Sequence, residues 1–341
     1  MFPDTTPRLL RYVIAGRLNR DYILPISGPP QIDVVGGNLI YAAVGLKFWG
    51  ETAGLVARVG EDYPLAWLDP LKSIGFDTSG VHIAPDPLDT RRFLAYSDAK
   101  TTHTQNPVQH FADRKLTFPN SLLGYQPNRM SDQNGSKSAK PLIQISDIPK
   151  NFLDATALHI CPIDFASHMN LPSIFRQGQA TTITLASDPG YMSPTFWQEI
   201  PTMLSELTAF ITTESEIRSL FQGRQTELWE MAAILADYGT EFILIHTDDK
   251  GVYLYDREGG KRWAIPNYQS RVINPTGAND AFSGGFLAGY REFYDPLEAA
   301  LMGNVTASFV VEGHQPFYAL DAMRRLVELR RTTLRDYIQG Y

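Results

Sequence analysis

The chain holds one cysteine, Cys161, in 341 residues. No internal disulfide can form and no cysteine-based zinc cluster is available, which points weakly to a reducing compartment. Positive charge is also scarce. Thirty Lys and Arg stand against 37 Asp and Glu, the net charge is −7, and no basic run occurs. Such a chain gains nothing at a polyanion, which argues against nucleic acid or a membrane surface as a partner. No window reaches the roughly 20 apolar residues that span a bilayer. Met1–Pro7 has no basic and apolar leader segment, so the expectation is a cytoplasmic protein. The seven histidines show no HExxH or other metal spacing. The P-loop pattern GxxxxGK[ST] is absent, and no GxGxxG follows the first apolar run, which leaves a Rossmann oxidoreductase little support.

What is present is a large apolar fraction, 43%, with 20% charged residues, enough for a sizeable core. Short runs rich in Val, Ile and Leu read as buried strands: Tyr12–Ala15, Ala53–Val59, Ala157–Cys161, Thr181–Leu185, Thr208–Thr212 and Phe242–His246. Amphipathic stretches lie between them, at Leu39–Trp49, Ser193–Leu207, Thr226–Tyr238 and Pro296–Val311. This alternation predicts an α/β fold with a mostly parallel central sheet flanked by helices, as one domain over 1–341. Right-handed crossovers then bring loop-borne chemistry to the carboxyl ends of the strands. Two segments, about 22–35 and 81–97, break the rhythm and read as hairpin strands of a small β lid. Residues from about 100 to 150 are polar and read as a surface insertion, most loop-like over Met130–Lys140.

The strongest local signal is VINPTGANDAFSGGFLAGY, Val272 to Tyr290. Pro275 and Gly277 mark a turn. Ala278, Phe282, Phe286 and Tyr290 then recur at helical spacing. Gly277, Ala278, Asn279 and Asp280 therefore fall on the first turn, where amide N–H groups lack helical partners and the dipole favours an anion. An acid at a helix start is commonly a cap. Beside an anion site it can also act as the base of a phosphoryl transfer to a hydroxyl.

The run Asn274–Phe282 resembles the carboxyl-terminal signature of the ribokinase-like, or PfkB, carbohydrate kinases, usually Asp-Thr-x-Gly-Ala-Gly-Asp. Further motifs agree in order: Gly16–Asp21 with the family's first strand and Asn-x-Asp, Gly36-Gly37-Asn38 with its Gly-Gly turn, and Arg58–Asp62 with its Gly-x-Asp loop. Asp188-Pro189 is similar to the central Asp-Pro, and Thr213–Glu216 stands at Asn-x-x-Glu. The resemblance covers nearly the whole chain apart from 100–150. It implies a three-layer α/β/α fold with a β lid, and an ATP-dependent kinase. Asp280 would be the base, with the amides of Gly277, Ala278, Asn279 and Asp280 as the anion hole. Asp21, Gly36, Gly37 and Tyr41 would hold the sugar-like acceptor. Glu216 would help place Mg²⁺ through water. Thr247, Lys250, Gly251 and Asn304 would lie against the nucleotide. Lids in this family can pair between subunits, which suggests a homodimer through the lid.

Several residues depart from the family pattern. Asn274 replaces an Asp near a monovalent-cation site, which puts K⁺ activation in doubt. Asn279 replaces a Gly but keeps its N–H. Tyr41 stands where ribokinases carry a sugar-binding Asn, so ribose is not the expected acceptor. Thr213 replaces the Asn of Asn-x-x-Glu, and Asp248 occupies a nucleotide-loop position where Gly is common. His159 and His246 sit in apolar runs and read as packed. Two alternatives stay open: a nucleoside kinase on the same fold, and a ligand-binding homologue without turnover.

Overall fold

The structure, a computed structural model, describes residues 10–85, 88–127, 140–247 and 250–341. Asp248 and the stretch Met130–Lys140, except Lys140, lie outside the described residues. In chain order the strands are β1 Tyr12–Ala15, β2 Asn19–Leu24, β3 Gln31–Gly36, β4 Gly54–Val59, β5 Asp77–Ile83, β6 Arg91–Tyr96 and β7 Thr102–His103. They continue as β8 Ala157–Ile160, β9 Thr182–Ala186, β10 Ala209–Thr213, β11 Phe242–Thr247, β12 Gly251–Asp256, β13 Lys261–Ile265 and β14 Gln339–Gly340.

Ten strands form one sheet in the order β14-β13-β12-β11-β10-β9-β8-β1-β4-β5. The seven from β11 to β5 run parallel. β12, β13 and β14 close one edge antiparallel. Strand alternation sorts the apolar side chains to two faces, both buried under helices. Val13, Ala15, Leu158, Ile160, Ile243 and Ile245 pack with Phe175, Leu220 and Met231 on one side. Tyr12, Ile14 and Leu55 pack with Leu39 and Ala43 on the other. The result is three layers, α/β/α, the class that the alternation of runs implied.

The segment around residue 81 differs from the sequence reading. Val81, His82 and Ile83 are the end of β5, which pairs parallel with β4 at the edge of the main sheet and takes no part in the lid. Three residues beside a Pro- and Asp-rich turn carry too little pattern to separate a sheet edge from a hairpin. The lid is a second sheet in the order β3-β2-β6-β7. β2 and β6 run parallel in the register Asp21↔Arg92 and Ile23↔Leu94. Their alternation gives the lid two faces. Tyr22, Leu24, Phe93 and Ala95 point outward and are buried under Phe111 and Leu122 of the chain's own insertion. Ile23, Leu94 and Tyr96 form the other face. Asp21 and Arg92 share its parity.

The Ala278–Phe293 helix is anchored by the face that its spacing marked. Phe282, Phe286 and Tyr290 stack in succession at 6.3 and 6.2 Å. Phe282 meets the His246 ring edge-on at 4.5 Å, and Tyr290 meets Phe242 at 5.6 Å. The helix start is thereby fixed at the carboxyl end of β11. No described helix is long and apolar enough to cross a membrane.

Candidate active site

Gly277 caps the Ala278–Phe293 helix in the left-handed region, φ 76° and ψ 7°. Two constraints require glycine. The backbone angle is one that L side chains rarely adopt, and a Cβ would lie 2.0 Å from Cγ of Tyr41. The loop leading in is tied down on both sides. Val311 O accepts from the amides of Ile273 (2.8 Å) and Asn274 (3.1 Å). Asn274 Oδ1 accepts from Thr276 N (3.1 Å) and Thr276 Oγ1 (2.7 Å), and Thr276 Oγ1 lies 2.9 Å from Tyr96 Oη of the lid.

Four amides were expected to stand free at this turn, and three do. Ala278 N–H donates to Pro275 O at 3.3 Å, and Ala281 N–H to Gly277 O at 2.9 Å. Those of Gly277, Asn279 and Asp280 have no partner among the described residues. The Ala278 bond is long, because a turn closed by Pro275 brings its carbonyl only just within reach.

These residues line a cavity of about 500 Å³ at the carboxyl ends of β9, β10 and β11. Gly277, Ala278, Asn279 and Asp280 form one wall, and Ser187 and Glu216 another. Asp280 is half-buried there. Burial raises its carboxyl pKa to about 7; the Asp21 and Glu216 carboxylates reinforce the shift and Arg92 opposes it. A carboxyl so placed exchanges its proton near neutral pH, as a general base needs.

Glu216 is held by its own helix start. Its Oε2 accepts from Thr213 N (2.9 Å), Thr213 Oγ1 (2.8 Å) and Ser187 Oγ (2.9 Å). Thr213 and Glu216 form a reciprocal capping box on the Glu214–Phe221 helix. A capping role thus accounts for Glu216 locally, while its exposure to the cavity leaves it available to a cation. Burial shifts its pKa upward, against the hydrogen bonds from Thr213 and Ser187.

A second cavity of about 270 Å³ adjoins the first, sharing Thr213, His246, Ala278 and Asn279. Thr247 and Asn304, both expected at the nucleotide, line it. Asn304 Nδ2 donates to Pro266 O at 2.9 Å, and Thr247 Oγ1 donates to Gly251 O at 2.9 Å. Lys250 and Gly251 line neither cavity. Gly251 opens β12 at φ 82°, where a Cβ would meet Ile265 O at 2.1 Å, so the β12–β13 pairing itself requires a glycine there. Lys250 is exposed, and its amide donates to Thr247 Oγ1 at 3.0 Å.

The expected acceptor residues form a separate cluster under the lid. Asp21 is fully buried, and Arg92 donates to both its oxygens. A Cβ on Gly36 would fall 1.9 Å from Asp21 Oδ2, so the bare glycine makes room for that carboxylate. Gly37 takes φ 103° beside Arg17 O. Tyr41 is 2% exposed with its ring against Gly277. Burial, and next the Asp21 carboxylate, push its phenol pKa up, keeping it a neutral hydroxyl. These four residues do not line the 500 Å³ cavity; the charges of Asp21 and Arg92 act on Asp280 from the lid side.

Sequence reasoning missed Arg92 as the partner of Asp21, although the alternation Arg92, Leu94, Tyr96 in β6 could have set it on the cleft face. It also missed Lys100, a cation on the cavity wall at the turn between β6 and β7. No local pattern marks that residue. His246 lines both cavities, and burial lowers its pKa to about 4, so it is neutral at physiological pH.

The chain is 27% identical over 287 residues to the cytidine kinase of Thermococcus kodakarensis, an alignment spanning 83% of this chain and 89% of that protein. Its fold matches the Escherichia coli protein termed ribokinase II, solved with ATP and Mg²⁺, at TM-score 0.68 and 16% identity, covering 95% and 100% of the two chains. A nucleoside kinase of Burkholderia thailandensis in complex with inosine matches at TM-score 0.66 and 18% identity, covering 96% and 99%. The profile of the pfkB family carbohydrate kinases matches residues 146–322, the span that contains Asp188, Glu216 and the Gly277–Asp280 turn. With the three-layer fold and the paired cavities at the strand ends, this match means that the chain belongs to the pfkB family of carbohydrate kinases, which are phosphotransferases.

Proposed function

We propose that the protein transfers the terminal phosphoryl group of ATP to a hydroxyl on the sugar portion of a small acceptor, with Asp280 as general base. One observation carries this reading: Asp280, the unpartnered amides of Gly277, Asn279 and Asp280, and Glu216 all face one cavity. An alcohol must lose its proton as it attacks, and the phosphoryl oxygens need fixed donors as their charge redistributes. Asp280 takes the proton. The three amides and the helix dipole bind the oxygens. Lys100 adds a positive charge to the lining of the same cavity.

The 270 Å³ cavity, walled by His246, Phe282 and Asn304, suits the nucleoside end of ATP. Glu216 is the residue that would hold Mg²⁺, through water, consistent with the hydration that Mg²⁺ retains. Bound there, Mg²⁺ neutralises charge on the triphosphate. Asn274 offers no carboxylate for K⁺, which argues against activation by a monovalent cation. The lid's outward face is already buried under Phe111 and Leu122, which argues against a homodimer through it.

A nucleoside is the favoured acceptor. The similarity to a cytidine kinase spans most of both chains. The test is ADP release with Mg·ATP across D-ribose, D-fructose, myo-inositol, cytidine, uridine, adenosine and inosine. Turnover with a nucleoside supports the reading. Turnover with free sugars alone keeps the chemistry and overturns this acceptor. Thermal shifts without ADP release make the protein a binder.

A further inference from the structure

Arg330 sits on the Arg324–Arg335 helix, outside every motif, yet is only 5% exposed. A guanidinium stays charged in a protein, so burial obliges it to find partners. Its Cζ lies 3.8 Å from the ring centroid of Phe309 and 4.6 Å from that of Tyr268. Nη2 donates to both carboxylate oxygens of Glu312 at 2.9 Å, and Nη1 donates to Ser308 Oγ at 2.9 Å. Tyr268 and Ser308 are walls of the 270 Å³ cavity. Phe309 and Glu312 flank Val311, which lines both cavities and whose carbonyl holds the loop into Gly277. One buried cation thus ties the cavity's aromatic wall and its hydroxyl together. An apolar side chain at 330 would fill the same space without desolvating a charge, so packing alone does not account for arginine here.

We propose that Arg330 is a positioning residue for nucleotide binding, holding the Tyr268 ring and the Ser308 hydroxyl in place against the planar base. The inference rests on the reading of this cavity as the nucleoside end of the ATP site. The guanidinium fixes the half-buried Tyr268 ring by cation–π attraction and fixes Ser308 by a charge-assisted bond. It touches neither the acceptor cluster nor Asp280, so its effect falls on nucleotide affinity and not on the chemical step.

The test uses the full chain, with Mg·ADP titration and steady-state kinetics for wild type, Arg330→Met, Arg330→Lys, Tyr268→Leu and the double variant Tyr268→Leu/Arg330→Met. Arg330→Met should raise the KM for Mg·ATP and the Kd for Mg·ADP about tenfold, with kcat and the acceptor KM within about twofold. Arg330→Lys should recover part of that loss, and Arg330→Met should add less than about twofold in the Tyr268→Leu background. An Arg330→Met protein that is folded with unchanged nucleotide affinity overturns the inference. So does one in which kcat, acceptor KM and nucleotide KM all deteriorate together. Should Arg330→Met fail to fold, Glu312→Gln, which releases the guanidinium from its bidentate partner, must raise nucleotide KM at constant kcat; no change there overturns the inference equally. Wild type that binds no Mg·ADP overturns the nucleotide reading itself, and this inference with it.

Discussion

Arg92 and Asp21 face each other in register on neighbouring parallel strands of the lid, joined by two hydrogen bonds of 2.9 and 2.6 Å. The Asp21 side chain is fully buried and that of Arg92 is 27% exposed. Arg92→Met therefore leaves a buried carboxylate without its counter-ion. A broken buried pair costs about 3–5 kcal/mol, and the partial exposure of Arg92 places this one toward the lower end. Urea unfolding at neutral pH measures it. A loss under about 1 kcal/mol would mean that the pair behaves like a solvated surface bridge.

The pH dependence follows from Asp280. Its carboxyl is held up to about 7, chiefly by burial. A base must be ionised, so kcat/KM should rise with a slope of one proton to about pH 7 and level off above it. Stability moves the other way. The native carboxyl holds a proton over the range from about 4, the ordinary value, to about 7, whereas the unfolded one does not. The cost of ionising it thus accumulates as pH rises through that window and stays constant above it. Asp280→Asn removes the cost, so it should raise Tm relative to wild type more at pH 8 than at pH 4. Equal Tm differences at the two pH values would contradict the burial argument.

Glu216→Gln separates two roles. Glutamine keeps the capping box with Thr213, so the unfolding midpoint should barely change. Losing the charge should raise the Mg²⁺ concentration for half-activation about 10–100-fold, the range for residues that act on a metal through its outer ligands. A Mg²⁺ titration at saturating ATP reads this. If the Mg²⁺ response is unchanged while stability falls, Glu216 serves as a cap alone.

Gly277→Ala should damage both fold and turnover. The left-handed backbone costs a non-glycine residue about 1–3 kcal/mol, and its Cβ would press on the Tyr41 ring. Unfolding midpoint and kcat should fall together, because the displaced turn carries the amides that bind the phosphoryl oxygens. A variant of wild-type stability would mean that the turn can relax away from Tyr41.

The parts legible in the sequence are those with strong local pattern. β1 is a bare apolar run, and its bounds match the structure. The helix start at Gly277–Asp280 was readable because turn residues and helical spacing meet there. The Phe165–Gln177 helix was not, since Pro172 inside it reads as a breaker. Ser193–Leu207, read as one amphipathic stretch, is a 3₁₀ turn at Pro194–Phe196 followed by the short Ile200–Leu204 helix. Proline at 194 and 201 cuts the periodicity. β12 and β13 pair locally at the edge with mixed polarity, which gives no clean run. At the site, Asp280 could be picked out because turn residues and helical spacing meet at its helix start, and Glu216 only through its resemblance to the Asn-x-x-Glu position. Arg92, Lys100 and Arg330 were not, because strand pairing sets Arg92 on Asp21, a lid turn brings Lys100 to the cavity and a distant helix sets Arg330 behind Tyr268 and Ser308, relationships that only the assembled fold creates.

The general-base role of Asp280 is tested most directly by the turnover of Asp280→Asn, assayed with Mg·ATP and the best acceptor at pH 7.5, beside its affinity for Mg·ADP. The variant should lose about 10²–10⁴ in kcat, the usual contribution of a positioned base, with nucleotide affinity retained. Turnover close to that of wild type in a folded protein would contradict that role.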